Sequence, residues 1–402
     1  MKIGVFYFGC KVNQYDLSRV SSALEKTGLD VMVNEIGDIN IVAGCVVTHK
    51  AEREGIKLLK KIRRERPNSH IFLMGCLAVH RGKELMENGI INDYFFTTDD
   101  DIGRLVNLLS DITGVTITLP SKVDLLEHSR AFLKVQDGCT YRCTFCLSRK
   151  TRISVVSYDL DSKVEEIRKI FLEGIAEVVI TGINLMLWTD GIRDISYLLL
   201  KLADEAYKFG GRIRISSIYP DQKMFGLNDL WNHPGVANHL HLSVQSGSPR
   251  VLKSMNRTNY IPLLNDYLTY VRELDTGFGL SGDFIVGFPT EDEGDFLMTV
   301  DFVKRHQFNK LHVFPFSARE GTEAATLKPL PSSVLRERSR ILREIGEELK
   351  ITFAERLNGS VRPAVYLSGK SGRVLFDNYL YMSYASSFSG IRDLQVIASQ
   401  IL

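Results

Sequence analysis

Cysteine is the residue type in this chain best suited to chemistry, and its six copies fall into two sets of three. The sets are a tight C-x3-C-x2-C triplet, Cys139, Cys143 and Cys146, and a dispersed trio, Cys10, Cys45 and Cys76. A four-iron cluster takes four protein thiolates, so three would leave one iron open to another molecule. Zinc prefers paired C-x2-C units, and the sequence holds no second pair. The tight triplet therefore predicts an open iron–sulfur cluster, and the plain alternative is a set of unrelated buried thiols.

Each dispersed cysteine follows a glycine that ends an apolar run, which is the context expected at the end of a buried strand. The strands are predicted at 2–8, 39–43 and 71–74, and helical patterns lie at about 15–27, 51–66 and 80–88. Alternating strands and helices predict a parallel sheet, in which all strand carboxyl ends share one edge. We therefore expect the dispersed cysteines to converge there, with glycine letting the backbone approach a bulky inorganic ligand. His49 is a candidate fourth ligand, and its alternative is an ordinary packed histidine.

The pattern of elements predicts an α/β protein of three parts. After the parallel-sheet domain, six further strand–helix units curl into a partial (β/α)6 barrel, whose chemistry lies at the strand carboxyl ends. A charged helix and a small β module of the OB-like kind follow. The predicted boundaries are 1–112 for the first domain, 113–131 for a linker, 132–331 for the barrel, 332–357 for the connecting helix and 358–402 for the module. The barrel strands are predicted at 132–135, 177–181, 212–216, 239–244, 280–286 and 310–314, and those of the module at 361–367, 372–376, 380–383 and 393–398.

Composition fits a soluble enzyme in a reducing compartment. Hydrophobic residues make up 44% of the chain and charged residues 24%, near globular averages. We expect no membrane contact because no apolar run reaches about 18 residues, and a cytoplasmic location because the thiols are to stay reduced. A net charge of +2 neither demands nor excludes a nucleic-acid partner. The basic run at 57–66 is either a solvated helix face or a patch for nucleic-acid phosphates.

Several short motifs resemble those of the radical S-adenosylmethionine (SAM) methylthiotransferases, and they follow the family's order over nearly the whole chain. The motifs are FGCKVNQYD at 8–16, LKVQDGC at 133–139, CTYRCTFC at 139–146, ITGIN at 180–184, RISS at 214–217, HLSVQSGS at 241–248 and DFIVGFP at 283–289. The segment after Cys10 is most similar to the MtaB branch, which modifies threonylcarbamoyladenosine in tRNA. Sister branches modify isopentenyladenosine in tRNA or an aspartate of a ribosomal protein, and both stay as alternatives. A non-catalytic iron–sulfur electron carrier is the alternative from another class, although a carrier needs no barrel.

The resemblance implies two [4Fe-4S] clusters and SAM as cofactors. The tight triplet would hold the cluster that binds and reduces SAM, and the resulting adenosyl radical would take a hydrogen from adenine. The dispersed cysteines would hold the cluster that carries sulfur, which a second SAM methylates. The C-terminal module resembles a TRAM domain, which holds RNA. The other residues implied in cofactor binding are Phe145, Gly182, Asn184, Ser216, Gln245 and Gly287.

The expected partners are the anticodon loop of a tRNA, where adenosine is unpaired, and a reductant such as flavodoxin or ferredoxin. A threonylcarbamoyl group carries a carboxylate, so cationic and amide side chains beside the dispersed cysteines suit it, whereas an isopentenyl group needs an apolar wall. The side chains of this kind are Lys11, Asn13 and Gln14. Beside the tight triplet, the candidates for phosphate contacts are Arg149, Lys150 and Arg152.

Overall fold

The computed structural model describes residues 1–119, 130–367 and 372–402, so much of the predicted linker at 113–131 lies outside the described residues. The chain forms two compact units. The first unit holds Met1–Leu126, Asp137–Tyr141 and Cys146–Val155, and the second holds Glu127–Gln136, Arg142–Phe145 and Val156–Leu402. The two outer cysteines of the tight triplet therefore belong to the first unit, and the central one belongs to the second.

The first unit is built on a five-stranded parallel sheet, as the sequence predicts, with strand order β2-β1-β3-β4-β5. The strands are β1 (Lys2–Tyr7), β2 (Asp30–Val33), β3 (Ile39–Gly44), β4 (His70–Gly75) and β5 (Asp93–Phe95). The helices are α1 (Lys11–Glu25), α2 (His49–Glu65), α3 (Cys76–Glu87), α4 (Asp99–Thr113) and the short α5 (Ser148–Thr151). Apolar side chains cover both faces of the sheet, those of α1 and α4 on one face and those of α2 and α3 on the other.

The second unit contains all six predicted barrel strands, arranged as two parallel three-stranded sheets in the orders β10-β9-β6 and β11-β12-β13. The strands in this part of the chain are β6 (Arg130–Lys134), β7 (Gln136–Asp137), β8 (Val156–Ser157), β9 (Glu177–Thr181), β10 (Arg212–Ile215), β11 (His239–Gln245), β12 (Gly279–Val286) and β13 (Lys310–Pro315). A parallel bridge between Ile218 and Leu242 joins the chain after β10 to β11. The helices are α6 (Leu160–Leu172), α7 (Ile195–Lys208), α8 (Pro249–Ser254), α9 (Ile261–Leu274) and α10 (Glu293–Arg305).

A long helix and a small antiparallel sheet complete the second unit, in agreement with the predicted β module. The helix is α11 (Ser332–Arg356), and the strands are β14 (Val361–Tyr366), β15 (Arg373–Phe376), β16 (Tyr381–Ser383) and β17 (Ile391–Gln395). The strand order is β16-β15-β14-β17. Within the described ranges, none of the helices combines the length and the apolar character needed to cross a membrane.

A buried charge cluster fixes the C-terminal module to the amino-terminal ends of the barrel strands. The Glu177 carboxylate at the start of β9 accepts hydrogen bonds from Arg130, Arg212 and Arg214, at 2.6 to 2.9 Å. The two arginines of β10 also donate to backbone carbonyl oxygens of the module at 2.7 to 3.1 Å, those of Pro363, Leu375, Phe376 and Asp377. The carboxyl ends of the barrel strands, where chemistry is expected, lie at the opposite end from this module.

Candidate active site

The dispersed cysteines lie at one edge of the first unit's sheet, directly after three neighbouring strands. Cys10 caps the amino terminus of α1, Cys45 follows β3, and Cys76 is the first residue of α3. The strands β3 and β4 pair in register up to Gly44 and Gly75, so the two cysteines that follow start from neighbouring positions. The three cysteines that the sequence places at one edge therefore do share it.

The glycines before these cysteines are needed by the protein backbone itself. Gly9 and Gly75 have φ values of +110° and +88°, which favour glycine. A Cβ atom at Gly9 would lie 3.2 Å from the Cβ of Cys45, and one at Gly75 would lie 3.0 Å from the carbonyl oxygen of Gly44. The glycines thus let the cysteine loops pack against each other. The sequence predicted only that they let the backbone approach a ligand.

The three dispersed thiols are close enough to affect one another's ionisation. Burial, with smaller contributions from the Cys10 and Cys76 thiols, raises the pKa of Cys45 to about 11. Burial also raises the pKa of Cys10, against the lowering effect of the Arg152 guanidinium. Three neighbouring thiols, two of them on the buried residues Cys45 and Cys76, favour a cationic partner that accepts thiolate ligands, so the donor set fits an iron–sulfur cluster. His49, the candidate fourth ligand, is exposed at the first residue of α2.

Two residues expected to contact RNA are instead buried beside the dispersed cysteines. Asn13 is 1% exposed, and its amide donates to the carbonyl oxygen of Gly44 at 2.9 Å. The Arg152 side chain is 1% exposed and donates to Asn13, Asp16 and Asp137. Neither side chain is presented to solvent, so the structure gives no support to RNA contacts by these two residues. The Arg152 guanidinium and the Asn13 amide already have hydrogen-bond partners within the protein.

The central part of the tight triplet is anchored to the turn after α8. The backbone N–H of Thr144 donates to the carbonyl oxygen of Met255 at 3.0 Å, and the Asn256 amide donates to that of Arg142 at 2.8 Å. Arg257, which is 8% exposed, has its Nη1 atom 3.9 Å from the Cys143 sulfur. Sequence reasoning missed Arg257, because more than a hundred residues separate it from the cysteine that it contacts.

Arg257 is held rigidly at this position. Its Nη2 atom donates to the carbonyl oxygen of Ser243 at 2.7 Å, and its guanidinium lies 4.1 Å from the ring centre of Tyr219. Burial would lower the pKa of Arg257, but Tyr260 and the Cys143 thiol raise it above its usual value. A permanently charged group therefore faces the central cysteine of the triplet.

Several residues expected to bind SAM meet at the carboxyl ends of β6, β9 and β10. The side-chain oxygen of Gln136 accepts a hydrogen bond from the backbone N–H of Asn184 at 2.8 Å, and a Cβ at Gly182 would lie 3.0 Å from this glutamine. The backbone N–H of Ser216 donates to Ile180 at 3.0 Å. Among the described residues, the buried hydroxyl of Ser216 has no hydrogen-bond partner. An unpaired buried hydroxyl at this edge suits contact with a polar cofactor.

The remaining cofactor candidates lie at other strand ends. Gln245, at the end of β11, adopts φ of +70°, a strained conformation of the kind found at functional sites. Gly287 follows β12, and a Cβ there would lie 2.5 Å from Leu335. Its backbone N–H donates to Glu291 at 2.8 Å, so this glycine has a packing role in the fold. Phe145 packs against the apolar cluster that contains Val251 and Phe288.

The other residues expected to contact substrate are accessible to differing degrees. Lys11 and Gln14 are half-buried on α1, and the Gln14 amide donates to the carbonyl oxygen of Gly9 at 3.2 Å. Arg149 and Lys150 are exposed on α5. Of the residues predicted to contact substrate, four therefore have side chains that are at least partly exposed: Lys11, Gln14, Arg149 and Lys150.

A polar cluster that sequence reasoning did not single out spans three neighbouring barrel strands. The Nε2 atom of His241 lies 3.0 Å from Asp283, and Ser217 donates to the same carboxylate at 3.2 Å. The ring of His312 lies nearly parallel to that of His241, with centres 5.1 Å apart. Burial would raise the pKa of Asp283, but His241 lowers it, so the carboxylate stays charged.

Comparison with known proteins defines the class of this chain first. The model of the Radical SAM superfamily matches residues 133–303, and that of Uncharacterized protein family UPF0004 matches residues 2–97. The radical SAM methyltransferase TsrM from Kitasatospora setae has a similar fold, with a TM-score of 0.57 and 15% identity over 78% of this chain and 74% of TsrM. The fold is thus that of a radical SAM enzyme, and the residues matched by the family model include the tight triplet.

Sequence relatives define the family more narrowly. "Threonylcarbamoyladenosine tRNA methylthiotransferase MtaB" of Thermotoga maritima is 33% identical over 88% of this chain and 84% of that protein. The protein of the same name from Aquifex aeolicus is 30% identical over 94% of this chain and 96% of that protein. The chain therefore belongs to the radical SAM methylthiotransferase family and groups with its MtaB members.

Proposed function

We propose that this chain adds a methylthio group to the adenine of N6-threonylcarbamoyladenosine, next to the anticodon of tRNA. The observation that carries the proposal is the pair of three-cysteine sites, one at the edge of a parallel sheet and one in the loop that begins the barrel. The relatives described above carry the name of this activity, and they match most of the chain.

The cysteines and their neighbours have separate tasks in this proposal. The tight triplet would hold one [4Fe-4S] cluster, which would supply the electron that cleaves SAM, and the dispersed cysteines would hold a second, which would carry the sulfur. Arg257 keeps a positive charge beside Cys143. Ser216, with Gln136 and Asn184, offers polar contacts to SAM at the carboxyl ends of the barrel strands.

The choice of substrate follows from the groups near the dispersed cysteines. Lys11 and Gln14 lie on the first turn of α1, directly after Cys10. A cationic and an amide group suit the carboxylate and carbonyl oxygens of the threonylcarbamoyl group. Arg149 and Lys150 add positive charge for the phosphates of the anticodon loop, so tRNA binding should weaken as salt rises.

The reaction also needs an electron donor and a reducing environment. A flavodoxin- or ferredoxin-type protein is the donor that we infer, since SAM cleavage consumes one electron at low potential. Six free thiols fit a cytoplasmic enzyme.

The test is to offer anaerobically reconstituted enzyme two tRNAs, one with threonylcarbamoyladenosine and one with isopentenyladenosine. Nucleosides are then analysed by mass spectrometry. We expect the methylthio product from the first tRNA alone. Product from the isopentenyl tRNA alone would overturn the substrate assignment and keep the methylthiotransferase chemistry. Absence of 5′-deoxyadenosine under strong reductant would instead favour an electron carrier.

A further inference from the structure

Arg152 lies at the centre of a buried network within the first unit. Its Nη1 atom donates to Asp137 at 2.5 Å, and its Nη2 atom donates to Asn13 at 2.5 Å and to Asp16 at 3.1 Å. The Asp16 side chain is fully buried, and the Asp137 side chain is 9% exposed. A guanidinium can satisfy these three acceptors at once because its donors form a fixed planar fork.

One side of this network reaches all three dispersed cysteines through Asn13. The Asn13 amide donates to the carbonyl oxygen of Gly44, the residue before Cys45. A Cβ atom at Gly9 would lie 2.7 Å from this amide nitrogen, and one at Gly75 would lie 3.1 Å from it. Asn13 therefore contacts the glycine that precedes each dispersed cysteine. The Arg152 guanidinium donates to the oxygen of the same Asn13 side-chain amide.

The other side of the network reaches the segment of the tight triplet. Asp137 lies two residues before Cys139, and Arg152 lies six residues after Cys146. A Cβ atom at Gly138 would lie 2.1 Å from the carbonyl oxygen of Ser154, so the two ends of the segment pack directly on each other. Leu147, next to Cys146, packs in the same apolar cluster as Cys76.

We propose that Arg152 is a positioning residue for sulfur transfer, which fixes the segment of the tight triplet against the loops of the dispersed cysteines. It acts through Asp137 on one side and through Asn13 and Asp16 on the other. This role deepens the proposed function and rests on it. The Cys76 and Cys10 thiols also interact electrostatically with the guanidinium, so its charge bears on a cluster held there.

The decisive variant is Arg152→Lys, which keeps the charge and loses the fork. One ammonium group cannot bridge Asp137 and Asn13 in the fixed geometry that the fork provides. We expect full iron content and normal SAM cleavage, but about 10- to 100-fold less methylthio product for each 5′-deoxyadenosine formed, as for other residues that support metal ligands. The control is Arg104→Lys, an exposed arginine of the same unit that pairs with Asp101. A product ratio equal to wild type in Arg152→Lys overturns the proposal.

A second measurement separates this role from simple stabilisation of the fold. In a Cys143→Ala background, where only the dispersed site retains its cluster, Arg152→Gln should shift the midpoint potential to a more negative value. The reason is that a neighbouring positive charge favours the reduced cluster. Arg104→Gln should leave the potential unchanged. This measurement needs no tRNA, so it stays valid if the substrate assignment fails. If Arg152→Gln does not fold, the product ratio of Arg152→Lys decides the matter.

Discussion

At the scale of single residues, the cation beside Cys143 offers a sharp test of the tight triplet. Arg257 donates a hydrogen bond to the carbonyl oxygen of Ser243 and stacks on Tyr219. Its Nη1 atom is thereby held 3.9 Å from the Cys143 sulfur. We expect Arg257→Leu to lower the rate of 5′-deoxyadenosine formation about 10- to 100-fold, the usual effect of losing a residue that supports a metal ligand.

The control for this prediction is Arg305→Leu, an exposed arginine in the same unit that pairs with Asp301. Iron content and circular dichroism of both variants show whether they remain folded and loaded. A rate equal to wild type in folded Arg257→Leu would mean that the cation has no part in SAM cleavage.

Residue types and spacing identified the six cysteines but not the residues that surround them. The cysteines stand out because iron–sulfur clusters are held mainly by cysteine thiolates, and the glycines before the dispersed cysteines mark strand ends. From the sequence, Asn13 and Arg152 are polar residues that could contact RNA. In the fold, however, they are buried and hydrogen-bonded to each other, although more than a hundred residues separate them. The contacts of Arg257 with Cys143 and of Gln136 with Asn184 also join residues far apart in sequence, and no local pattern encodes them.

At the scale of elements, the turn between β4 and α3 restricts the residue before Cys76 to glycine. Gly75 has φ of +88°, and a Cβ there would lie 3.0 Å from the Gly44 carbonyl oxygen. We expect Gly75→Ala to lose the iron of the dispersed site, about half of the total, because the Cys45 and Cys76 loops must separate. Iron analysis after anaerobic reconstitution measures this loss.

The matched control is Gly89→Ala, at a glycine of the same unit that also has positive φ, at +66°, but has open space around it. Both variants bear the backbone strain of about 1–2 kcal/mol that positive φ imposes. Equal iron in the two variants would show that the contact between the loops is unimportant.

The charge cluster at the start of β9 makes the stability of the second unit depend on pH. Burial would raise the pKa of Glu177, but Arg214, Arg130 and Arg212 lower it well below its usual range. We expect Glu177→Gln to destabilise the protein at pH 7 by about 3–5 kcal/mol, because three arginines lose their buried partner. Urea unfolding followed by circular dichroism measures the difference.

The direction of the pH effect follows from the lowered pKa of Glu177. Stabilisation by this carboxylate is complete above the unfolded-state pKa of about 4.3 and is lost as the pH falls toward the folded-state value. The difference between wild type and Glu177→Gln should therefore be constant above about pH 4.3 and shrink below it. Glu165→Gln, at an exposed helix position, is the control. A difference that shrinks as the pH rises would contradict this account.

The elements themselves followed closely from the sequence where apolar runs are long. The strand at Glu177–Thr181 has the predicted bounds, and the other barrel strands differ by one or two residues at their ends. Helices α1 and α3 begin four residues earlier than predicted, since the chain turns directly from each glycine into a helix. The edge strands β2 and β5 were missed because they are short and only partly buried.

At the scale of the whole molecule, the two cysteine sets should hold two separate clusters. We expect anaerobically reconstituted protein to contain about eight irons, four at each set. Changing the three cysteines of either set to alanine should remove half of the iron and leave the other site loaded. Full iron after loss of Cys10, Cys45 and Cys76 would exclude a cluster at the sheet edge.

The central claim is that SAM is cleaved at the cluster of the tight triplet, and that the cluster of the dispersed cysteines carries the sulfur. The most direct measurement compares Cys10→Ala with Cys143→Ala, assaying 5′-deoxyadenosine and the methylthio nucleoside in the same reaction under strong reductant. Folded Cys10→Ala should still form 5′-deoxyadenosine and make no methylthio product, whereas Cys143→Ala should form neither. Equal loss of SAM cleavage in the two variants, or methylthio product from Cys10→Ala, would contradict this division of labour.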